Sequence, residues 1–304
     1  MTRVARSGSP RYWELTVGIP DDASEGLTNF VWELGALGVV EEEPVGGGPR
    51  LRAFFAETAD TAVLAARVDA YLAALDALGF RGGRPSRVTP VADEDWAAAW
   101  RAHFAPFPLG RRFVIAPSWE SPAANGREIL TIEPGRAFGT GQHGSTAGCL
   151  LLLEALAAGN AAPRALDLGT GSGILAIAAA RLGVREVHAI DSDPDAIASA
   201  TANVARNHLE GRVHCAVADA AGVDAPPFPL VLANLLAAAH RSLVARYAAL
   251  VTPGGVLILG GLLDGEAGEA AQLMAEHGFT QLDARSVEGW ASLACRHAPL
   301  RHHA

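Results

Sequence analysis

Gly169, Gly171, Gly173 and Asp191 stand at the spacing of a turn that binds a small molecule. They lie in RALDLGTGSGILAIAAARLGVREVHAIDSDPD, Arg164 to Asp195. A short apolar run ends in Asp167, glycines follow at alternate positions, and an alanine-rich stretch leads to a second apolar run closing on Asp191. Glycine lets the backbone turn sharply and lets a ligand approach without Cβ interference. An acidic residue about 20 positions past the first glycine is where a strand-loop-helix-strand unit presents a carboxylate to ribose hydroxyls. The rhythm is Gly-x-Gly-x-Gly, with Ile174 where a dinucleotide fingerprint has its last glycine. That favours S-adenosylmethionine, which has no pyrophosphate to seat on a helix N-terminus, over a dinucleotide. Asp191 has a plainer alternative as the cap of the helix opening in SDPDAI, a role that Ser192 or Asp193 can also fill.

Two other groups join this set. Asn234, in Ala233-Asn234-Leu235-Leu236, directly follows an apolar run. A side-chain carbonyl there can hold a nitrogen nucleophile with its lone pair toward a methyl group; a strand-end turn is its plainer use. The segment Glu133 to Thr146, EPGRAFGTGQHGST, is rich in small residues, with Ser145 or Thr146 expected to cap an apolar helix. Such a loop either covers a site or is a simple turn. His143 within it is titratable, although a lone loop histidine more often has a structural use.

The elements that position these residues divide along the chain. Tyr12 to Ile19 alternates as a strand, and Pro20-Asp21-Asp22 turns into a helix carrying Leu27, Phe30, Val31 and Leu34 that ends at Gly35 or Gly38. Strands Val39–Glu43 and Leu51–Ala56 flank a Gly46-Gly47-Gly48 turn, a helix spans Asp60 to Leu78, and a last strand lies near Arg87 to Val91. This βαββαβ order predicts a ferredoxin-like α+β domain over residues 10–92. Residues 93–126 read as an ordered linker, with Trp96 and Trp100 on one helical face packing on a domain surface. Over 127–298, apolar runs alternate with helical stretches, predicting an α/β doubly wound, Rossmann-like parallel sheet covered on both faces. Phe279–Ser286 and Trp290–Arg296, joined by Val287-Glu288-Gly289, read as a terminal hairpin that adds one antiparallel strand at the sheet edge.

Composition narrows the classes. The 304 residues are half hydrophobic and 19% charged, enough for a sizeable core and unlike a disordered chain. The formal charge is −9 and every basic side chain is arginine, because the sequence contains no lysine. An acidic balance opposes non-specific nucleic-acid binding and is compatible with a basic protein substrate. Cys149, Cys215 and Cys295 are widely spaced, as reduced thiols rather than a disulfide framework or a metal site would be. MTRVARSGSP lacks the apolar segment of a signal peptide, and no apolar run approaches the ~18 residues of a membrane span, so a cytoplasmic location without membrane or metal is expected.

The combination of IEPGRAFGTGQHGSTAGCL, LDLGTGSGILAIAA, AIDSDPDAI, LVLANLLA, PGGVLILGGLL and the late EGW resembles the bacterial ribosomal protein L-eleven (L11) methyltransferases, the PrmA family. YWELTVGIP with LGALGV, and EDWAAAWRAHFAPFPLGRRFVIAPSWE, resemble that family's substrate-recognition domain and linker, so the likeness runs from Tyr12 to Arg296. Gly144-Ser145 departs from an expected Pro-Thr, Thr170 from cysteine and NLLA from NILA; Gly144 in place of proline is expected to loosen the loop. The resemblance implies a class I S-adenosylmethionine-dependent protein N-methyltransferase acting on lysine ε-amines, and on the α-amine, of ribosomal protein L11. It also implies cofactor contacts at Thr146, Gly169, Asp191 and Asn234, which Gly171 joins through the glycine motif, and a catalytic role for Asn234. A monomer without direct nucleic-acid contact is expected. The same scaffold acting on another protein or a small molecule is the alternative; a dinucleotide oxidoreductase and an inactive ribosome-binding module fit the motifs less well.

Overall fold

The computed structural model describes residues 12–18, 24–36, 38–42, 50–77, 79–80, 84–91, 105–133, 139, 141–156 and 162–298. The expected turns at Pro20-Asp21-Asp22 and Gly46-Gly47-Gly48, and the Trp96/Trp100 pair, lie outside these residues. The chain forms two compact units, residues 1–104 and 105–304.

In the first unit, strands β1 (Tyr12–Gly18), β2 (Gly38–Glu42), β3 (Arg50–Ala56) and β4 (Arg84–Val91) form an antiparallel sheet in the order β2-β3-β1-β4. Helices α1 (Ser24–Glu33) and α2 (Thr61–Ala77) follow β1 and β3. Alternation along the strands sends Leu15, Val17, Leu51, Ala53 and Phe55 to one face, where Leu27, Val31, Leu64 and Val68 of the helices cover them. Asp60 caps α2 by accepting from the backbone N–H groups of Ala62 and Val63 at 3.0 and 3.1 Å. Gly35 ends α1 with φ 91°, and Gly38 opens β2.

The second unit begins with β5 (Phe107–Leu109), β6 (Phe113–Ala116) and β7 (Glu128–Thr131), a three-stranded sheet in that order. These strands fall partly within the stretch expected as a connector, and Phe113, Ile115 and Leu130 are buried in the core of this unit. Helix α3 (Gly144–Leu156) then precedes a seven-stranded sheet. Its strands are β8 (Arg164–Leu168), β9 (Glu186–Asp191), β10 (Val213–Val217), β11 (Phe228–Asn234), β12 (Val251–Leu263), β13 (Phe279–Val287) and β14 (Trp290–His297). Helices α4 (Ile174–Arg181), α5 (Pro194–Arg206), α6 (Ala237–Leu250) and α7 (Ala267–Glu276) connect them. The order is β10-β9-β8-β11-β12-β14-β13.

Successive residues of the near-continuous apolar strands serve opposite faces. Leu230, Leu232 and Ile258 pack with α3 and α4, whereas Val231, Ala233, Leu257 and Leu259 pack with α6 and α7. The antiparallel strand is β14, and it lies one place in from the edge rather than at it. Burial explains the difference. Residues Ala291–Cys295 of β14 are all buried, while β13 alternates toward solvent, so the more apolar strand takes the interior position. Glu288 and Gly289, with φ 51° and 82°, make the two-residue hairpin turn between them. No helix among the described residues is long and apolar enough to cross a membrane.

Candidate functional site

The expected site residues gather at the carboxyl ends of the parallel strands, where open α/β sheets bind ligands. β8 ends at Leu168 and passes into the turn Gly169–Gly173. Gly169, Gly171 and Gly173 have φ of 67°, 54° and 83°, the left-handed region that side chains avoid. At Gly169 space adds a second requirement, since a Cβ would lie 2.4 Å from Leu235 Cδ2.

Asp191 closes β9. Its Oδ2 accepts from the backbone N–H of Gly171 at 3.0 Å and its Oδ1 from that of Asp193 at 3.0 Å. The carboxylate therefore ties the glycine turn to the loop after β9 while each oxygen keeps a further lone pair. Helix capping falls to Asp193, which accepts from Asp195 N at 2.8 Å and precedes Pro194.

Asn234 closes β11, the neighbour of β8. Its Nδ2 donates to the Thr146 hydroxyl at 3.2 Å. Its Oδ1 is buried without a hydrogen-bond partner. Leu235 N donates to the Gly260 carbonyl at 3.1 Å, and His240 Nε2 lies 2.8 Å from the same oxygen. The Tyr247 hydroxyl, 2.8 Å from His240 Nδ1, completes a buried chain behind the Asn234-Leu235 turn. Because the carbonyl can only accept, His240 donates through Nε2 and receives from Tyr247. Burial lowers its pKa, which keeps this neutral tautomer in place.

The loop ahead of α3 is described at Gly139 and from Gly141 onward; its residues 134–138 and 140 lie outside the described set. Ser172 of the glycine turn donates to the Gly139 carbonyl. Ser145 and Thr146 sit inside the first turn of α3, buried, and not at its cap. That position belongs to His143, whose carbonyl accepts from Ala147 N at 3.0 Å and whose Nδ1 is 3.4 Å from Ser145 N. The imidazole rests against Trp290, ring centres 4.5 Å apart, and burial lowers its pKa against an opposing pull from Glu288. A Cβ at Gly144 would lie 2.2 Å from the Val287 carbonyl oxygen, so glycine lets α3 start against the terminal hairpin.

Three groups carry no prominent sequence signal. Asp167 is 1% exposed and accepts from the Thr170 hydroxyl at 2.6 Å. Burial pushes its carboxyl up to about 7; the Thr170 bond opposes the shift and the charge of Asp191 adds to it. Asn203 and Asn207, both buried, form a polar clamp. Asn203 donates to Ser172 O at 2.9 Å and accepts from Glu133 N at 3.0 Å. Asn207 accepts from Thr131 N at 3.0 Å and donates to Thr131 O at 2.7 Å, pairing with that residue as a neighbouring strand would. Their four-residue separation on a helical face was the available clue. Among the described residues no cluster of histidine, cysteine or acidic side chains is arranged to hold a metal.

The family described as Ribosomal protein L11 methyltransferase (PrmA) matches residues 11–298. A ribosomal protein L11 methyltransferase of Geobacter sulfurreducens is 41% identical over 251 residues, covering 81% of each chain. That of Pelobacter propionicus is 38% identical over 275 residues, 83% of this chain and 87% of its own. That of Symbiobacterium thermophilum is 32% identical over 302 residues, 93% and 98% of the two chains. The crystal structure of a ribosomal protein L11 methylase from Lactobacillus delbrueckii subsp. bulgaricus superposes with a TM-score of 0.59 at 28% identity, covering 64% of this chain and all of that one. A match across nearly the whole length, on a methyltransferase sheet bearing these residues at its carboxyl edge, means that this chain belongs to the ribosomal protein L11 methyltransferase (PrmA) family.

Proposed function

We propose that the chain methylates ribosomal protein L11 at lysine ε-amines and at the α-amine, with S-adenosylmethionine as donor and Asn234 holding the attacking nitrogen. The family match carries the activity and the donor. The orphaned Oδ1 of Asn234 carries the assignment within the site. A buried acceptor left unpaired costs about 1–3 kcal/mol, and a ligand that donates to it removes that cost.

The residues present suit this donor. The positive-φ turn at Gly169–Gly173 leaves backbone open to a ligand, and Asp191 retains acceptor capacity for ribose hydroxyls. Thr146, Gly169, Gly171, Asp191 and Asn234 are the proposed cofactor contacts. The bound donor supplies an electrophilic methyl group on a sulfonium. The protein's share is to bring a neutral amine into line with it. A lysine amine has an ordinary pKa of ~10.4, and desolvation at the sheet edge lowers it toward the neutral form. An N–H of that amine donates to Asn234 Oδ1, which leaves the nitrogen lone pair free to point at the methyl carbon. Alignment at ~3–3.5 Å then supplies much of the rate.

The first unit is proposed as a ferredoxin-like substrate-recognition domain. The order β2-β3-β1-β4 with two helices on one face supports that reading. The formal charge of −9 supports action on a basic protein without direct nucleic-acid contact, and monomeric action in the cytoplasm is part of the same proposal. Mass spectrometry of L11 after incubation with the protein and S-adenosylmethionine tests the reading, with methyl increments on L11 as the expected result. Because the chain contains no lysine, any methyl-lysine detected belongs to the substrate. An unmodified L11, with S-adenosylhomocysteine still bound by the protein, would overturn the substrate and leave the fold intact.

A further inference from the structure

A cleft of about 420 Å³ opens at the end of the seven-stranded sheet opposite the glycine turn. Pro229 and Leu230 of its wall begin β11, the strand that ends in Asn234. Thr252 and Val256 belong to the first half of β12, and Arg296, paired in register with Val256, lies near the end of antiparallel β14. Leu156 closes the cleft from the last turn of α3, and Ala162, just ahead of β8, lines its rim.

The chemistry of this wall is lopsided. Among the described residues its side chains are aliphatic apart from Thr252 and Arg296, none is acidic, and Arg296 is the one charge. Four arginines of the unit stand beside carboxylates, Arg164 with Glu186, Arg206 with Glu133, Arg241 with Glu269 and Arg285 with Asp283, and four more bond backbone carbonyls. Arg296 is exposed and has no hydrogen-bond or ion-pair partner among the described residues. A concave pocket of a few hundred Å³, whose aliphatic side chains share its accessible wall about evenly with polar atoms and which carries one charged group, has the make-up of a small-molecule site. A guanidinium presents parallel N–H donors that match a carboxylate.

The geometry points to a second ligand site here, for a small amphiphilic monocarboxylate such as a medium-chain fatty acid. The carboxylate meets Arg296, and Thr252 is the other polar side chain of the wall. The aliphatic body lies between Leu156 and Leu230. Its place at the amino ends of β11 and β12 separates it from the proposed methyl-transfer site along the full length of β11, so both ligands bind together.

Calorimetric titration of the full chain with butyrate, hexanoate and octanoate tests this, with octylammonium as the charge-reversed control. Affinity should rise about fourfold for each CH₂ added, as burial of that group predicts. Arg296→Gln, a change at an exposed position, should weaken octanoate about three- to tenfold. Ala162→Trp, which fills the cleft and keeps the charge, should abolish octanoate binding, while both variants bind S-adenosylhomocysteine as the parent does. If Ala162→Trp fails to fold, Arg296→Gln decides. Octanoate binding that Arg296→Gln leaves unchanged, octylammonium binding as tightly as octanoate, or no carboxylate binding at millimolar concentration overturns the proposal.

Discussion

Asn234 holds its amide by one hand only. Nδ2 is fixed on Thr146, and Oδ1 faces no donor, so the side chain is oriented before any ligand arrives. Asn234→Ala should lower kcat more than it raises KM for L11, because orientation counts most at the transition state. Single-turnover rates at saturating donor and substrate check this, and parent-like rates would reduce Asn234 to a turn residue. Asp191→Ala should weaken S-adenosylhomocysteine binding tenfold or more, since it removes charge-assisted hydrogen bonds worth roughly 1.5–3 kcal/mol and also frees the Gly171 N–H that shapes the turn. Calorimetry reads that loss directly. Asp167 gives a pH-dependent prediction. Its folded-state pKa of about 7 is above the ordinary carboxylate value, so the native state binds this proton more tightly than the unfolded chain. The stability it contributes is full below about pH 4 and is lost as pH rises through 7. Asp167→Asn keeps an acceptor for Thr170 and removes the titration. In thermal melts of the ligand-free protein, its stability relative to the parent should improve between pH 5 and pH 8 by on the order of 2 kcal/mol. No change in that difference across the range would contradict a raised pKa.

At the scale of elements, α5 and its C-terminal residue do more than cover the sheet. Asn203 and Asn207 join two segments: the glycine turn through Ser172, and the end of β7 through Thr131 and, two residues on, Glu133. Removing either amide strands buried backbone groups, so Asn203→Ala should cost about 1–3 kcal/mol in denaturant unfolding and raise the dissociation constant for S-adenosylhomocysteine. A variant with lower stability and unchanged ligand affinity would show that the clamp does not shape the turn. The start of α3 is set by contact with the β13–β14 hairpin. Gly144→Ala, harmless in an open loop, should instead destabilise the protein by about 1–3 kcal/mol, because its Cβ meets the Val287 carbonyl.

At the scale of the molecule, the division of labour is open to a direct cut. A fragment beginning at Ala105 retains β5, which pairs with β6, and the whole core of the second unit. It should bind S-adenosylhomocysteine like the full chain and fail to methylate L11. Full-rate methylation by the folded fragment would show that the first unit takes no part in substrate selection.

The strand and helix order of the first unit and of the seven-stranded sheet was readable because each element is a local pattern, whereas β5 and β6 fell in a stretch read as linker. Alternation marked β1 and β3, continuous apolar runs marked β8, β9 and β11, and Asp60 and Gly35 marked helix ends. The glycine turn, Asp191 and Asn234 were readable for a related reason: each follows a strand, and strand ends in such a sheet converge on one edge. What depended on distant partners was not local and could not be read. β14 took the place inside β13 because the two compete for the flank of β12, and burial settles that competition. His143 rather than Ser145 became the α3 cap, and Gly144 became a tight contact, only once the hairpin had closed against them. The raised pKa of Asp167, the orphaned oxygen of Asn234 and the Asn203–Asn207 clamp likewise arise from burial and from partners many residues away. Sequence determined which residues reach the edge of the sheet; tertiary packing decided which of their polar groups are already paired and which are left without a partner.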